Sequence, residues 1–259
     1  MKNVIRSAAS FLALGLMIVS VSCNKKSDVQ QVQGDADANY WPDQRYCNID
    51  SILVTGTNDY YKFTYDAQGD PVSMVGNTPN TGDPNRYFFY DANKRMNKHY
   101  GLYSDGVTFE YYTKYVYNAS NRVIRDTTYN FGTLVGGLPT AYYSWTVTTY
   151  SYDASNRISS TELMWSGVPG SGFTTNYNYN SSGNLIKSGV TYDTRNNIHN
   201  VNNWWRLIDR DYSVNNPYTA SSYTGYWLPR DIFSSAGVNE RYFLNLDLPN
   251  ATFRFACGN

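Results

Sequence analysis

A short phrase recurs along the chain, and an internal repeat limits a fold more tightly than any composition does. It reads Phe63-Thr-Tyr65-Asp66-Ala-Gln-Gly69, then Phe88-Phe-Tyr90-Asp91-Ala-Asn-Lys-Arg95-Met96. It returns as Tyr115-Val-Tyr117-Asn118-Ala-Ser-Asn-Arg122-Val123 and Tyr150-Ser-Tyr152-Asp153-Ala-Ser-Asn-Arg157-Ile158. Weaker copies are Tyr177-Asn-Tyr179-Asn180-Ser-Ser-Gly183-Asn-Leu185 and Tyr192-Asp193-Thr-Arg-Asn-Asn-Ile198. The key tyrosine falls at 65, 90, 117, 152, 179 and 192, at intervals of 25, 27, 35, 27 and 13. A period near 25 residues is too long for one strand and suits a hairpin with its connection.

Each unit has a local logic. An alternating aromatic run makes the incoming strand, and Asp or Asn then turns the chain by bonding nearby backbone N–H groups. Gly69, Gly183, Asn121 or Asn156 fills the position that needs positive φ. The apolar residue six after the tyrosine (Met96, Val123, Ile158, Leu185, Ile198) opens the outgoing strand. Pro71 holds that place in the first unit, which suggests an irregular or edge position. Thr175, Tyr177 and Tyr179 alternate with Asn176, Asn178 and Asn180, as in a strand with one wet face. The pattern predicts an all-β fold: an antiparallel hairpin-repeat sheet curled into an open or closed barrel-like shell. It predicts roughly twelve to fourteen strands between Cys47 and Cys257, with Asn203–Asp211 the one candidate helix.

Composition agrees. The 259 residues include 26 Tyr and 29 Asn but only three Glu (Glu110, Glu162, Glu240), which disfavours long exposed helices. Aromatics at 17% argue against disorder. Zero formal net charge lacks the basic field that nucleic-acid binding uses.

Residues 1–22 carry Lys2 and Arg6 before an apolar run from Ala8 to Val21, the layout of a secretory signal. Cys23 after Ser22 resembles a bacterial lipoprotein signal, although Ser20 stands where Leu is usual. The expectation is cleavage before Cys23 and acylation of it; the alternative is ordinary cleavage near Ser20 or Ser22. Residues 23–46 then form a lipidated cysteine and flexible tether, and residues 47–259 the β domain. With Cys23 assigned to lipid, Cys47 and Cys257 are an even pair in an oxidising compartment, either bonded to each other or left as two thiols. A bond would close a loop of 257 − 47 = 210 residues and would require the first and last strands to be neighbours.

The phrase resembles the YD repeat of Rhs- and teneurin-type shells, whose units read Tyr-Asp-x-x-Gly-Arg-apolar, and the resemblance spans Phe63 to Ile198. With the acylatable Cys23, the chain resembles a group of Bacteroidota YD-repeat lipoproteins described as porin-like. Asn203–Asn216, Tyr226–Ile232 and Phe253–Cys257 resemble the same group. The resemblance implies a fold and an outer-membrane, lipid-anchored address facing periplasm or cell surface, more than an activity. Lys114, Arg125 and Lys187 interrupt the faces that a lipid-inserted barrel would need apolar.

Catalytic layouts are sparse. His99 and His199 read as lone surface histidines beside strand ends or turns. The spacings of common zinc and serine-hydrolase sites do not occur, no cofactor motif stands out, and Asp35-Ala-Asp37-Ala-Asn39 departs from a calcium loop at Tyr40 and Tyr46. Asp50-Ser51-Ile52 and Asp126-Thr127-Thr128 match a bacterial O-glycosylation signal. Trp204, Trp205 and Trp227 are candidates for stacking on a ligand's rings. These features point to a membrane-anchored exported lipoprotein with a binding or scaffolding function, whose partner is a glycan or another envelope protein. The alternative is a polysaccharide-active enzyme of the envelope, which would need two carboxylates ~5–10 Å apart.

Overall fold

A computed structural model describes residues 47–54, 59–168, 170, 172–188, 190–218, 242–244, 246–247 and 251–257. Signal, tether, Cys23 and Trp227 lie outside the described residues, as do Asp35–Tyr46 and Tyr226–Ile232. The described residues form sixteen strands, more than the sequence predicts, because several are short. They are β1 (Cys47–Val54), β2 (Tyr60–Tyr65), β3 (Pro71–Gly76), β4 (Asn85–Tyr90), β5 (Met96–Leu102), β6 (Thr108–Tyr117), β7 (Val123–Val135) and β8 (Leu138–Thr140). After them come β9 (Ser144–Tyr152), β10 (Ile158–Trp165), β11 (Phe173–Asn176), β12 (Thr191–Asn196), β13 (Asn215–Tyr218), β14 (Tyr242–Phe243), β15 (Leu246–Asp247) and β16 (Ala251–Cys257).

Twelve of these strands form one antiparallel sheet in the order β11-β10-β9-β7-β6-β5-β4-β3-β2-β1-β16, with β8 beside β7. The sheet is open: its ladder ends at β11 and β16 among the described residues. The first strand does pair with the last, because β16 returns to β1 as an edge strand, with Cys47 the Cα partner of Cys257.

The repeat is a set of interlocked hairpins. In the first four units the key tyrosine is the cross-strand partner of the residue six positions on: Tyr65 of Pro71, Tyr90 of Met96, Tyr117 of Val123, Tyr152 of Ile158. A bulge beside the pair closes each turn. Inside the turn the Asx side chain accepts two backbone N–H groups: Asp91 Oδ1 takes Asn93 and Arg95 at 2.8 and 3.0 Å, and Asp153 Oδ1 takes Ser155 and Arg157, both at 2.9 Å. Positive φ falls at Gly69, Asn121, Asn156 and Gly183, as expected, and also at Lys94 (φ 61).

The tyrosine hydroxyl then joins neighbouring units. Tyr90 Oη donates to the Pro71 carbonyl at 2.8 Å, Tyr117 to Met96 at 2.6 Å, Tyr152 to Val123 at 2.8 Å and Tyr179 to Ile158 at 3.1 Å. Tyr192 donates to the Leu185 carbonyl. Each acceptor is the residue six after the preceding key tyrosine. The spacing therefore has two causes: that residue closes its own hairpin, and its carbonyl receives the next unit's hydroxyl. The arginines add a third tie, with Arg157 lying 4.0 Å from the ring centroid of Tyr179 and Arg95 4.7 Å from that of Tyr117.

The regularity fades after β11. Tyr179 and Leu185 form only an isolated bridge, and Ile198 opens a 3-10 turn (Ile198–Val201) instead of a strand. Helix α1 (Asn203–Asp209) follows, capped by the Asn202 side chain, which accepts the Trp204 N–H at 2.9 Å. The 3-10 turn and α1 pack on one face of the sheet. There Trp205 lies fully buried, 5.8 Å from Phe63, 5.4 Å from Phe88 and 5.8 Å from Phe243 between ring centroids.

Candidate functional site

Beside this core the same sheet face turns polar. Cross-strand partners share a face, so register alone defines three rows: Arg86, Gly101, Tyr111 and Asn130; then Phe88, His99, Thr113, Thr128 and Thr146; then Tyr115, Asp126 and Thr148. A cavity of about 360 Å³ opens over these rows, with Ile208 and Arg210 from the end of α1 on its other side and Tyr150 of β9 beside them. Arg210 caps α1 in the left-handed region at φ 56. Gly101 keeps the first row low: a Cβ there would meet Pro84 Cγ at 2.5 Å and Tyr111 Cε1 at 2.7 Å.

The polar groups restrain one another. Asp126 is 3% exposed; it accepts the Tyr150 hydroxyl and lies 4.0 Å from Arg210 Nη2. Burial lifts its carboxyl above the ordinary carboxylate range, against the opposing pull of the Tyr150 bond and the Arg210 charge. Arg210 Nη2 donates to the Tyr150 hydroxyl at 3.5 Å. His99 Nδ1 lies 3.2 Å from the Tyr115 hydroxyl. Burial, and then the Arg86 charge, push the His99 ring down to about 3, so it is neutral near pH 7. Arg86 has a side chain only 2% exposed; Nη1 donates to the Pro84 carbonyl at 2.9 Å, and Asp83 stands off at 3.8 Å.

Several expectations are corrected. Neither histidine is on the surface: His99 is 6% exposed within β5 and His199 is 3% exposed. His199 Nε2 is 2.7 Å from Asp209 Oδ2, and its Nδ1 is 2.8 Å from Asn197 Oδ1. Asp209 also accepts the Leu244 N–H at 2.7 Å, so this pair ties the helix end to the C-terminal strands. Asp126-Thr127-Thr128 is central strand, paired on both sides, and Asp50-Ser51-Ile52 lies in β1 between β2 and β16. Both segments lie in paired strands of the sheet, with Ser51 and Thr127 partly exposed.

Trp205 has its ring enclosed in the core. Trp204 is half-buried, 5.6 Å from the Tyr90 ring centroid, and donates Nε1–H to Asp70 Oδ1 at 3.2 Å. Neither lines the cavity. The residues that do were legible only by parity: Arg86, Phe88 and Tyr90 alternate on the side of the repeat tyrosine, so an inward-facing charge was readable at Arg86. Among the described residues no three His, Cys, Asp or Glu come together as a metal site, and no helix is long and apolar enough to cross a membrane.

No protein family and no curated protein matches the chain. Solved structures similar in part include the TcdB2-TccC3-Cdc42 complex (13% identity, TM-score 0.29, 51% of this chain) and TcdB2-TccC3 without its hypervariable C-terminal region (13%, 0.31, 51%). A third is the Tc holotoxin pore of Photorhabdus luminescens (15%, 0.23, 51%). The match spans only 7 to 8% of those chains.

Proposed function

We propose that the protein is an exported, lipid-anchored envelope protein, as its resemblance to Bacteroidota YD-repeat lipoproteins implies, and that its repeat sheet serves as a rigid binding module. The observation that carries the binding reading is the cavity between α1 and the sheet. Its volume of about 360 Å³ falls in the range of small-molecule sites, and its walls stand on strands fixed by the interlocking tyrosines. Binding fits it better than hydrolysis. The cavity's carboxylates are Asp126 and Glu110. Asp126 pairs with Tyr115, 115 − 110 = 5 residues along β6 from Glu110, so their backbones stand about 16 Å apart at ~3.3 Å per residue, and each carboxylate is already held by protein donors. A glycosidase pair stands ~5–10 Å apart.

Two measurements test the proposal. A glycan array and a metabolite panel, read by thermal shift, should return a ligand whose effect disappears when Thr128→Trp fills the cavity. A ligand that binds Thr128→Trp equally well places binding elsewhere. Mass spectrometry of the mature N-terminus should find an acylated Cys23; an unmodified terminus at Cys23 or Ser22 overturns the anchor.

A further inference from the structure

The unmet hydrogen-bonding capacity of the cavity is all of one kind. Its carboxylates are supplied from within the protein: Asp126 takes the Tyr150 hydroxyl and, at 3.3 Å, that of Thr128. Glu110 Oε2 takes the Gly82 N–H at 2.7 Å and the Tyr103 hydroxyl at 3.2 Å. Its cations are supplied only in part: Arg86 Nη1 donates to the Pro84 carbonyl and Arg210 Nη2 to the Tyr150 hydroxyl, but Arg86 Nε and Arg210 Nε are buried and have no acceptor among the described residues. A buried donor without a partner costs ~1–3 kcal/mol, and more when charged, so each guanidinium carries unmet donor capacity.

Ion pairing at the two arginines is also loose, at 3.8 Å for Arg86 with Asp83 and 4.0 Å for Arg210 with Asp126. Arg86 has Asp83 as its nearest counter-ion, at 3.8 Å, too long for a hydrogen bond. Burial lifts the Asp83 carboxyl, which works against its ionised form. His99, beside Arg86, is neutral. Two guanidinium groups thus line one cavity with two carboxylates, of which Glu110 is held by the Gly82 N–H and the Tyr103 hydroxyl and Asp126 stands 4.0 Å from Arg210. Guanidinium is the side chain best suited to carboxylate, which it can grip through two parallel bonds. Between the arginines, Thr113, Thr128 and Asn130 offer hydroxyl and amide partners, and Tyr111 and Tyr115 offer rings.

We propose that the cavity takes a sugar acid, a hydroxylated carboxylate of monosaccharide size held by Arg86 and Arg210; this rests on the binding reading above. The test is calorimetry on the purified full chain with D-glucuronate and D-galacturonate, against D-glucose, D-galactose and inorganic phosphate. Uronates should bind at least about tenfold more tightly than the neutral sugars and phosphate, the worth of one charge-assisted contact. Arg210→Asn should lower uronate affinity by a similar factor while the chain stays folded, since Asn tolerates the left-handed cap. Arg86→Met should do the same if its thermal midpoint is kept. Equal binding of neutral sugars would overturn the acid class and leave the binding module standing. Equal binding of phosphate would reduce the site to a general anion site, and unchanged affinity in Arg210→Asn would also overturn the proposal. Silence from every probe, array included, would instead remove the binding reading itself.

Discussion

Tyr152 Oη donates a 2.8 Å hydrogen bond to the backbone carbonyl of Val123, the residue that closes the preceding hairpin against Tyr117. One hydroxyl thus fastens one repeat to the next, and Val123 is 3% exposed. Tyr152→Phe keeps the ring and removes the bond, leaving a carbonyl short of a partner in a buried setting. The expected loss is about 1–3 kcal/mol in urea unfolding, with Tyr117→Phe behaving alike. A loss near zero for both would mean that water replaces the hydroxyl and that the repeat is held by packing alone.

Cys47 and Cys257 are Cα partners across β1 and β16. Facing residues on antiparallel strands have Cα atoms ~4.5–5.5 Å apart, inside the disulfide range. Protein purified without reductant should leave both thiols unlabelled by iodoacetamide. Reduction should lower stability by on the order of 5 kcal/mol, the chain-entropy value for a loop of this size. Full labelling of both residues in the native, unreduced protein would show two free thiols.

Asp126 should give stability an unusual pH slope. Its folded-state carboxyl is raised by burial above the unfolded value of 3.8. The folded state therefore holds the proton more tightly, and this group's contribution, fully present near pH 3.8 and below, is lost as pH rises through the folded value. Asp126→Asn should remove that decline. Asp91 has the opposite sign: the Arg95 bonds lower its carboxyl, so its contribution is present above 3.8 and lost as pH falls. Chemical unfolding at pH steps from 4 to 8 (~0.5 apart), comparing Asp126→Asn with the parent, reads the difference. Parallel curves would show that Asp126 has an ordinary carboxyl.

Lys94 occupies the turn position where other units have Gly69, Asn121, Asn156 or Gly183, and it takes φ 61. Left-handed backbone costs most residues roughly 1–2 kcal/mol, and Asn less. Lys94→Asn should therefore stabilise the chain by several tenths to about 1 kcal/mol, read as a rise in thermal midpoint. The lost Lys94–Gln68 contact is exposed and contributes little. A fall in midpoint would show that this contact outweighs the backbone strain.

The sequence by itself determined the hairpin repeat, because its determinants are local. An Asx side chain reaches N–H groups two and four residues on, positive φ selects Gly or Asn, and period-two alternation sets the faces. The short helix was legible for similar reasons, while the cysteine positions made neighbouring first and last strands only a condition of a Cys47–Cys257 bond. Tertiary structure alone decided what the tyrosine hydroxyls bond, since each acceptor belongs to the neighbouring unit. It also decided that β16 returns to the β1 edge without closing the sheet, that His99 and His199 are buried, and that Trp205 is core. The cavity was decided the same way: Arg86, Asp126 and Arg210 are separated by 40 and 84 residues in the chain. No local pattern relates such distant positions; only strand register and the docking of α1 place the two guanidinium groups around one volume.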